Sequence, residues 1–288
     1  MRRRTLLLFT LPALAVYGVF GIYPLLSALR LSFMHFTGVG SASWAGLGNY
    51  ATVLGDAAFR RSLWVTLAYT AIVVVAQNGL GLLFAALLQS VPRLRGPARV
   101  ALLVPSMFSF VIAGFVWQYL YSPLGGGLDE TLKAVGLGGW QPVWLGDPAT
   151  ALASVTAVHV WMFVGYSTAI FLTGYAGIPA ELRDAARIDG ASAWQRFWQV
   201  EFPLLAPAVT VNVTLSTIGT LKTFELPFVL SDGGPDGATT TVGLQIFKSL
   251  FEFYDFGVAS ALSVVALLLT AAIVTAQGRV LRAREERI

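Results

Sequence analysis

The stretch YAGIPAELRDAARIDGASAWQRFWQVEFPLLAP, Tyr175 to Pro207, is polar, carries charges of both signs and stands between two long apolar runs. Pro179 is placed to open a helix, since proline fits the first helical position. Glu181 follows in the first turn, where a carboxylate favours the positive end of the helix dipole. Leu182, Ala185, Ala186 and Ile188 give a small apolar face, with Arg183, Asp184 and Arg187 on the other side. Gly190 ends the helix, because glycine enters the left-handed conformation without strain. Ser192 to Gln195 reads as a capping box that opens a second helix. Trp194, Phe197 and Trp198 then share one bulky aromatic edge. Two readings fit these residues: a docking surface for a soluble partner, or an amphipathic helix lying on lipid.

The rest of the chain belongs in a bilayer. Of its 288 residues 56% are hydrophobic and 12% charged, with mean hydropathy +0.70; soluble domains carry about a quarter charged residues. The absence of cysteine removes disulfides, thiolate metal sites and cysteine nucleophiles. His35 and His159 stand far apart, which argues against a histidine metal cluster. A spanning helix needs about 20 apolar residues. Six such stretches are expected: Thr5–Ser27, Leu63–Leu88, Val100–Tyr121, Thr150–Gly174, Leu204–Val229 and Val258–Ala276. The first run also has signal-peptide features, Arg2 to Arg4 followed by Ala13-Leu14-Ala15, but it is longer than an ordinary signal core.

Basic residues set the orientation of such a chain. With the N-terminus in the cytoplasm, the inside segments hold thirteen arginines, in clusters at 2–4, 93–99, 183–196 and 279–287. The outside segments hold five basic residues: Arg30, Arg60, Arg61, Lys133 and Lys248. Both termini and the 175–207 loop then fall inside. The outer loops, about Phe36–Ser62, Ser122–Ala149 and Leu230–Gly257, are rich in glycine, proline and aromatics. Tyr119, Tyr121, Trp140, Trp144, Phe251, Phe253 and Tyr254 suit an interfacial aromatic belt, or contact with an outer partner. With no composition break, residues 1–288 read as one membrane domain.

The 175–207 segment resembles the EAA motif of the integral membrane subunits of ABC importers. That pattern is Glu-Ala-Ala, three residues, Gly, nine residues, Ile, one residue, Leu-Pro. This chain has Asp184-Ala185-Ala186, Gly190, Val200 and Phe202-Pro203 at those intervals, with Asp for Glu, Val for Ile and Phe for Leu. The aspartate is one methylene shorter, so a contact needing the full glutamate reach is in question. AARIDGASAWQRFWQVEFPLL is similar to the carbohydrate branch, the maltose and glycerol-phosphate type. FGIYPLLSALRLSFMHF (20–36) and TFELPFVLSDGGPDGATTTVGLQIFKSLF (223–251) resemble other parts of the same permeases.

The resemblance implies an all-α polytopic protein of the type I importer permease fold, with a cytoplasmic coupling loop at about 175–207. It implies ATPase docking through Asp184, Ala185, Ala186, Arg187, Gly190 and Trp194. ATP-driven closure of two ATPase subunits would move this loop and switch the spans between inward-open and outward-open. The implied partners are a second related permease, two ATPase subunits and an extracytoplasmic solute-binding protein, in a bacterial or archaeal cytoplasmic membrane, with no nucleic acid. The chain lacks a G-x-x-x-x-G-K-[ST] run to cradle phosphates. No cofactor is therefore expected on it; ATP and Mg belong to the separate ATPase.

Polar residues inside spans are costly in lipid and should face protein or water. Gln118, Asn212, Thr220, Lys222, Phe224 and Glu225 are the expected solute path, offering amide, hydroxyl and aromatic contacts to a sugar. Lys222 and Glu225, three residues apart, read equally as an internal ion pair. Gln77, Asn78 and Asn212 read equally as hydrogen-bond links between helices. His159 near mid-span reads as packed. An ion-coupled secondary transporter is the alternative, but it favours several mid-membrane acids and repeated broken helices. Glu225 is the single acid clearly inside a span. A membrane enzyme would need clustered acids, histidines or serines near one interface; here they are scattered.

Overall fold

The computed structural model describes residues 3–91, 93 and 95–285, so Arg2 and Arg287 of the basic clusters lie outside the described residues. In chain order the helices are α1 (Arg3–Tyr17), α2 (Tyr23–Leu31), α3 (Gly48–Gly55), α4 (Ala57–Ser90), α5 (Arg95–Leu103), α6 (Phe110–Leu120), α7 (Gly127–Ala134) and α8 (Pro148–Ala176). There follow α9 (Ala180–Ile188), α10 (Ala193–Arg196), α11 (Phe202–Leu204), α12 (Ala206–Leu221), α13 (Glu225–Ser231), α14 (Val242–Phe251) and α15 (Phe256–Glu285). A two-stranded ribbon pairs β1 (Met34–His35) with β2 (Ser43–Trp44), antiparallel.

Among the described residues, four continuous helical stretches are long and apolar enough to cross a membrane: Thr10–Leu31, Ala57–Ser90, Pro148–Ala176 and Phe256–Ala283. They overlap the first, second, fourth and sixth expected spans. The other two spans are not straight. Arg95–Met107 and Phe110–Leu120 meet at 96°, and Ala193–Leu204 meets Ala206–Leu221 at 69°. The first break has local causes. Pro105 sits in a short tight turn at Val104–Met107. The Ser109 hydroxyl accepts the Ile112 N–H at 3.2 Å, a side-chain cap that starts α6 afresh.

The expected fifth span, Leu204–Val229, stops early. α12 ends at Leu221, and Lys222 to Phe224 form a bend before α13. The bend is viable because its freed backbone finds partners. The Thr241 hydroxyl donates to the Thr223 carbonyl at 2.8 Å, and Glu225 Oε2 accepts the Phe224 N–H at 3.3 Å.

The chain divides into two compact units, Met1–Arg60 with Gln245–Leu269 and Arg61–Leu244 with Thr270–Ile288. In the first, Asn49 Nδ2 donates to the Ser32 and Met34 carbonyls at 2.9 Å, and the Phe36 and Phe256 rings pack 5.6 Å apart. In the second, glycines let helices approach closely, as small residues do in membranes. A Cβ on Gly165 of α8 would overlap the Leu102 carbonyl of α5, and one on Gly81 of α4 would lie 2.7 Å from Ser167 Cβ. Two aromatics assigned to the belt turn inward instead. Tyr121 is buried with its O–H on the Ser154 carbonyl at 3.0 Å, and half-buried Trp144 donates to Asp129 at 2.9 Å.

Candidate functional site

The 175–207 loop folds as two helices with defined joints. α9 begins one residue later than expected: Pro179 takes the position before the helix, and Ala180 is its first residue. It ends at Ile188, and Gly190 follows at φ +76°. The Ala191 N–H donates to the Ala186 carbonyl at 3.0 Å and the Gly190 N–H to the Arg187 carbonyl at 3.1 Å. These two bonds close the helix end on a left-handed glycine. The capping box is complete: the Gln195 N–H reaches Ser192 Oγ at 3.3 Å, and the Ser192 N–H reaches Gln195 Oε1 at 2.9 Å. Phe197–Glu201 then form a wider π turn, cross-linked by Arg196 Nε to Glu201 Oε1 at 3.3 Å.

Both ends of this module are anchored. Ile178 and Leu205 are buried in one apolar cluster with Ala85 of α4 and with Phe171, Leu172 and Tyr175 of α8. Between the anchors the module is open. Asp184, Ala185 and Arg187 are exposed and Ala186 is half-buried; Asp184 and Arg187 make only an exposed 3.4 Å contact. Ile188 is 86% and Trp194 71% exposed. Trp194 and Trp198 meet edge-on at 5.5 Å, and Trp198 meets Phe202 at 4.9 Å. An apolar patch rimmed by charge in this way marks an interaction surface. Arg183 differs from its neighbours: its guanidinium turns back onto the Tyr175 and Ile178 carbonyls, so it serves the joint rather than the surface.

A cavity of about 380 Å³ lies among α4, α6, α8, α12 and the α12–α13 bend. On α12, Asn212, Leu215, Ser216 and Gly219 line it, spaced as one helical face, with Lys222 just past the helix end. Opposite stand Gln77, Phe110, His159, Phe163 and Tyr166. Asn212 Nδ2 donates to the Ser167 carbonyl at 3.0 Å, and Gln77 Nε2 to Ser167 Oγ at 2.8 Å. Gln77 Oε1 is buried without a partner among the described residues. His159 is buried, bonded through Nδ1 to the Tyr69 hydroxyl at 2.8 Å.

Lys222 and Glu225 both line this cavity and, among the described residues, form no ion pair with each other. Of the remaining expected path residues, Gln118 lies on a different cavity, at the far end of α6. Thr220 is buried with its hydroxyl on the Ser216 carbonyl at 2.8 Å, and Phe224 lines neither cavity. Phe110, Phe163 and Tyr166 were not foreseen; the 212–215–216–219 periodicity was the signal that could have located one wall.

The profile of the family described as "binding-protein-dependent transport system inner membrane component" matches residues 77–286, which includes the loop and the cavity. The chain belongs to this family. This permease is therefore a multi-pass membrane component of a binding-protein-dependent importer, and the ion-coupled reading falls away. The trehalose/maltose transport system permease protein of Thermococcus litoralis is 34% identical over 264 residues, covering 91% of this chain and 88% of the relative. The sn-glycerol-3-phosphate transport system permease protein of Agrobacterium fabrum is 30% identical over 279 residues, covering 96% and 94%. The permease also shares its fold with a solved bacterial ABC transporter involved in import of the acidic polysaccharide alginate, with TM-score 0.86, 20% identity and coverage of 98% and 96%.

Proposed function

We propose that this permease forms half of the path for a neutral sugar, beside a second related permease, and is driven by two separate ATPase subunits docked on the 175–207 loops. The loop carries this reading: a structured module with both ends buried and its middle presenting Asp184, Ala185, Arg187, Ile188 and Trp194 to solvent. Rigid joints let a displacement of the loop reach α8 and α12 undissipated. ATP and Mg are used by the ATPase, and solute is delivered by a binding protein on the opposite side. The arginine distribution supports a loop and termini on the cytoplasmic side of a bacterial or archaeal inner membrane.

The cavity supports a neutral, hydroxyl-rich solute. Aromatic rings offer apolar faces, and amides offer both donors and acceptors. One ammonium and one carboxylate leave the wall without net charge. The relatives transport trehalose/maltose or sn-glycerol-3-phosphate, by their names; the balanced wall favours the uncharged class. The test is uptake of labelled maltose, trehalose, lactose and glycerol 3-phosphate into proteoliposomes holding the full transporter. ATP-dependent uptake of a neutral sugar is expected. Uptake that needs no ATP and collapses with an ionophore would overturn the reading.

A further inference from the structure

The second cavity, of about 490 Å³, is built from the end of α6, the segment leading into α8, and the end of α13 with its following turn. Gln118, Ser122, Trp144, Ser231 and Gly234 are among its walls. These walls are fixed before any ligand arrives. Trp144 is held by its N–H bond to buried Asp129 at 2.9 Å and by the Ser154 hydroxyl on its carbonyl at 2.8 Å. Tyr121, bonded to the Ser154 carbonyl, packs its ring 5.4 Å from Trp144. Ser231 Oγ and Thr239 Oγ1 are 2.7 Å apart, and Thr239 also donates to the Gly234 carbonyl.

Within this fixed frame, Gln118 is exposed and its carboxamide makes no hydrogen bond inside the chain among the described residues. Among the described residues, the lining contains no acidic or basic side chain. An aromatic platform beside a free carboxamide, with no charge, suits the apolar face and the hydroxyls of a pyranose ring. An ion would find no counter-charge there.

Position gives the cavity its place in the path. It adjoins the N-terminal end of α8, while the docking loop follows the C-terminal end. α8 is 29 residues long. Its two ends are therefore roughly 43 Å apart, from the rise of an α-helix. The second cavity is thus on the side where solute arrives. Both cavities share α6 and α13. Phe110 and Glu225 face the first, and Gln118 and Ser231 the second. Between them Gly114 and Val229 close the gap, since a Cβ on Gly114 would sit 2.6 Å from Val229 Cγ1.

We propose that the second cavity is an arrival subsite for one ring of a neutral, hydroxyl-rich solute, occupied before the mid-membrane cavity. The proposal rests on the reading of the chain as a sugar path. Because the chain has no cysteine, one introduced thiol reports one position. Val143→Cys, an exposed wall position that leaves the Gln118 carboxamide in place, marks the second cavity and Leu215→Cys the first. Each is assembled with the full transporter in proteoliposomes and reacted with a charged methanethiosulfonate, with and without millimolar maltose, trehalose or lactose. Modification is scored by the mass of this chain. The expected result is that one of these sugars slows modification at both positions at least about fivefold. Protection at Leu215→Cys with none at Val143→Cys overturns the subsite and leaves the path reading standing. Protection at neither position by any of the three contradicts the path reading itself.

Discussion

Arg183 is bonded back to the helix before its own: Nη2 lies 3.3 Å from the Tyr175 carbonyl oxygen and 3.1 Å from that of Ile178. A guanidinium on carbonyls at and just beyond the end of α8 meets the negative end of the helix dipole. It also fixes the angle at which α9 leaves the membrane helix. Arg183→Ala is expected to leave the ATPase bound and hydrolysing but to lower solute moved per ATP several-fold. Arg183→Lys should recover only part of the loss, because an ammonium lacks the planar fork. Uptake and ATP hydrolysis measured on the same proteoliposomes give the ratio.

Gly190 tests the turn alone. A Cβ there would meet nothing within 4 Å, so substitution costs only the strain of φ +76°. Gly190→Ala should destabilise the module by about 1 kcal/mol, and Gly190→Asn by less, since asparagine tolerates this conformation better. Gly190→Pro cannot take a positive φ, and it removes the N–H bonded to the Arg187 carbonyl, so it should abolish coupling. Limited proteolysis between α9 and α10 should show cleavage rising from Gly190→Asn through Gly190→Ala to Gly190→Pro.

The loop was readable in the sequence because its determinants are local. Proline, glycine and the Ser192–Gln195 pair each act within a few residues, and the structure shows the Gly190 turn and the capping box at those positions. The breaks in the third and fifth spans were not readable. Val100–Tyr121 and Leu204–Val229 are largely apolar throughout, and the bend in the second of them draws a partner from afar. At the bend from Lys222 to Phe224, Thr241 reaches back across 18 positions to the Thr223 carbonyl. The cavity was half readable. Asn212, Lys222 and Glu225 announce themselves as polar residues in an apolar run, whereas Phe110, Phe163 and Tyr166 are ordinary span residues until the bent α5–α6 pair and α8 bring them together.

Helix packing gives an internal comparison. Gly165→Ala would drive a methyl into the Leu102 carbonyl, while Gly79→Ala meets nothing within 4 Å. The first should cost about 1–3 kcal/mol, as overpacked sites do, and the second should be neutral or slightly stabilising. Thermal inactivation of the detergent-solubilised transporter should show a lower midpoint for Gly165→Ala only.

The two charges lining the first cavity make a further contrast. Because Lys222 and Glu225 do not neutralise each other, Lys222→Met should not strand a partnered carboxylate. It should raise the solute concentration for half-maximal uptake by about tenfold, the loss of one charge-assisted hydrogen bond to solute, without lowering the amount of assembled transporter. A matching fall in assembly, read by size-exclusion chromatography, would give Lys222 a structural role instead.

The central claim is that the exposed face of α9 holds the ATPase, and Asp184 is its most direct probe. Its contact with Arg187 is exposed. Such a contact is worth at most about 1 kcal/mol, so replacing Asp184 should leave the permease folded. The decisive measurement is the number of ATPase subunits retained per permease after affinity purification of the Asp184→Arg transporter, with wild type and Asp184→Glu alongside. Wild type and Asp184→Glu should keep their ATPase, and Asp184→Arg should lose most of it while the two permeases stay together. Full ATPase retention with normal ATP-driven uptake in Asp184→Arg would contradict the account.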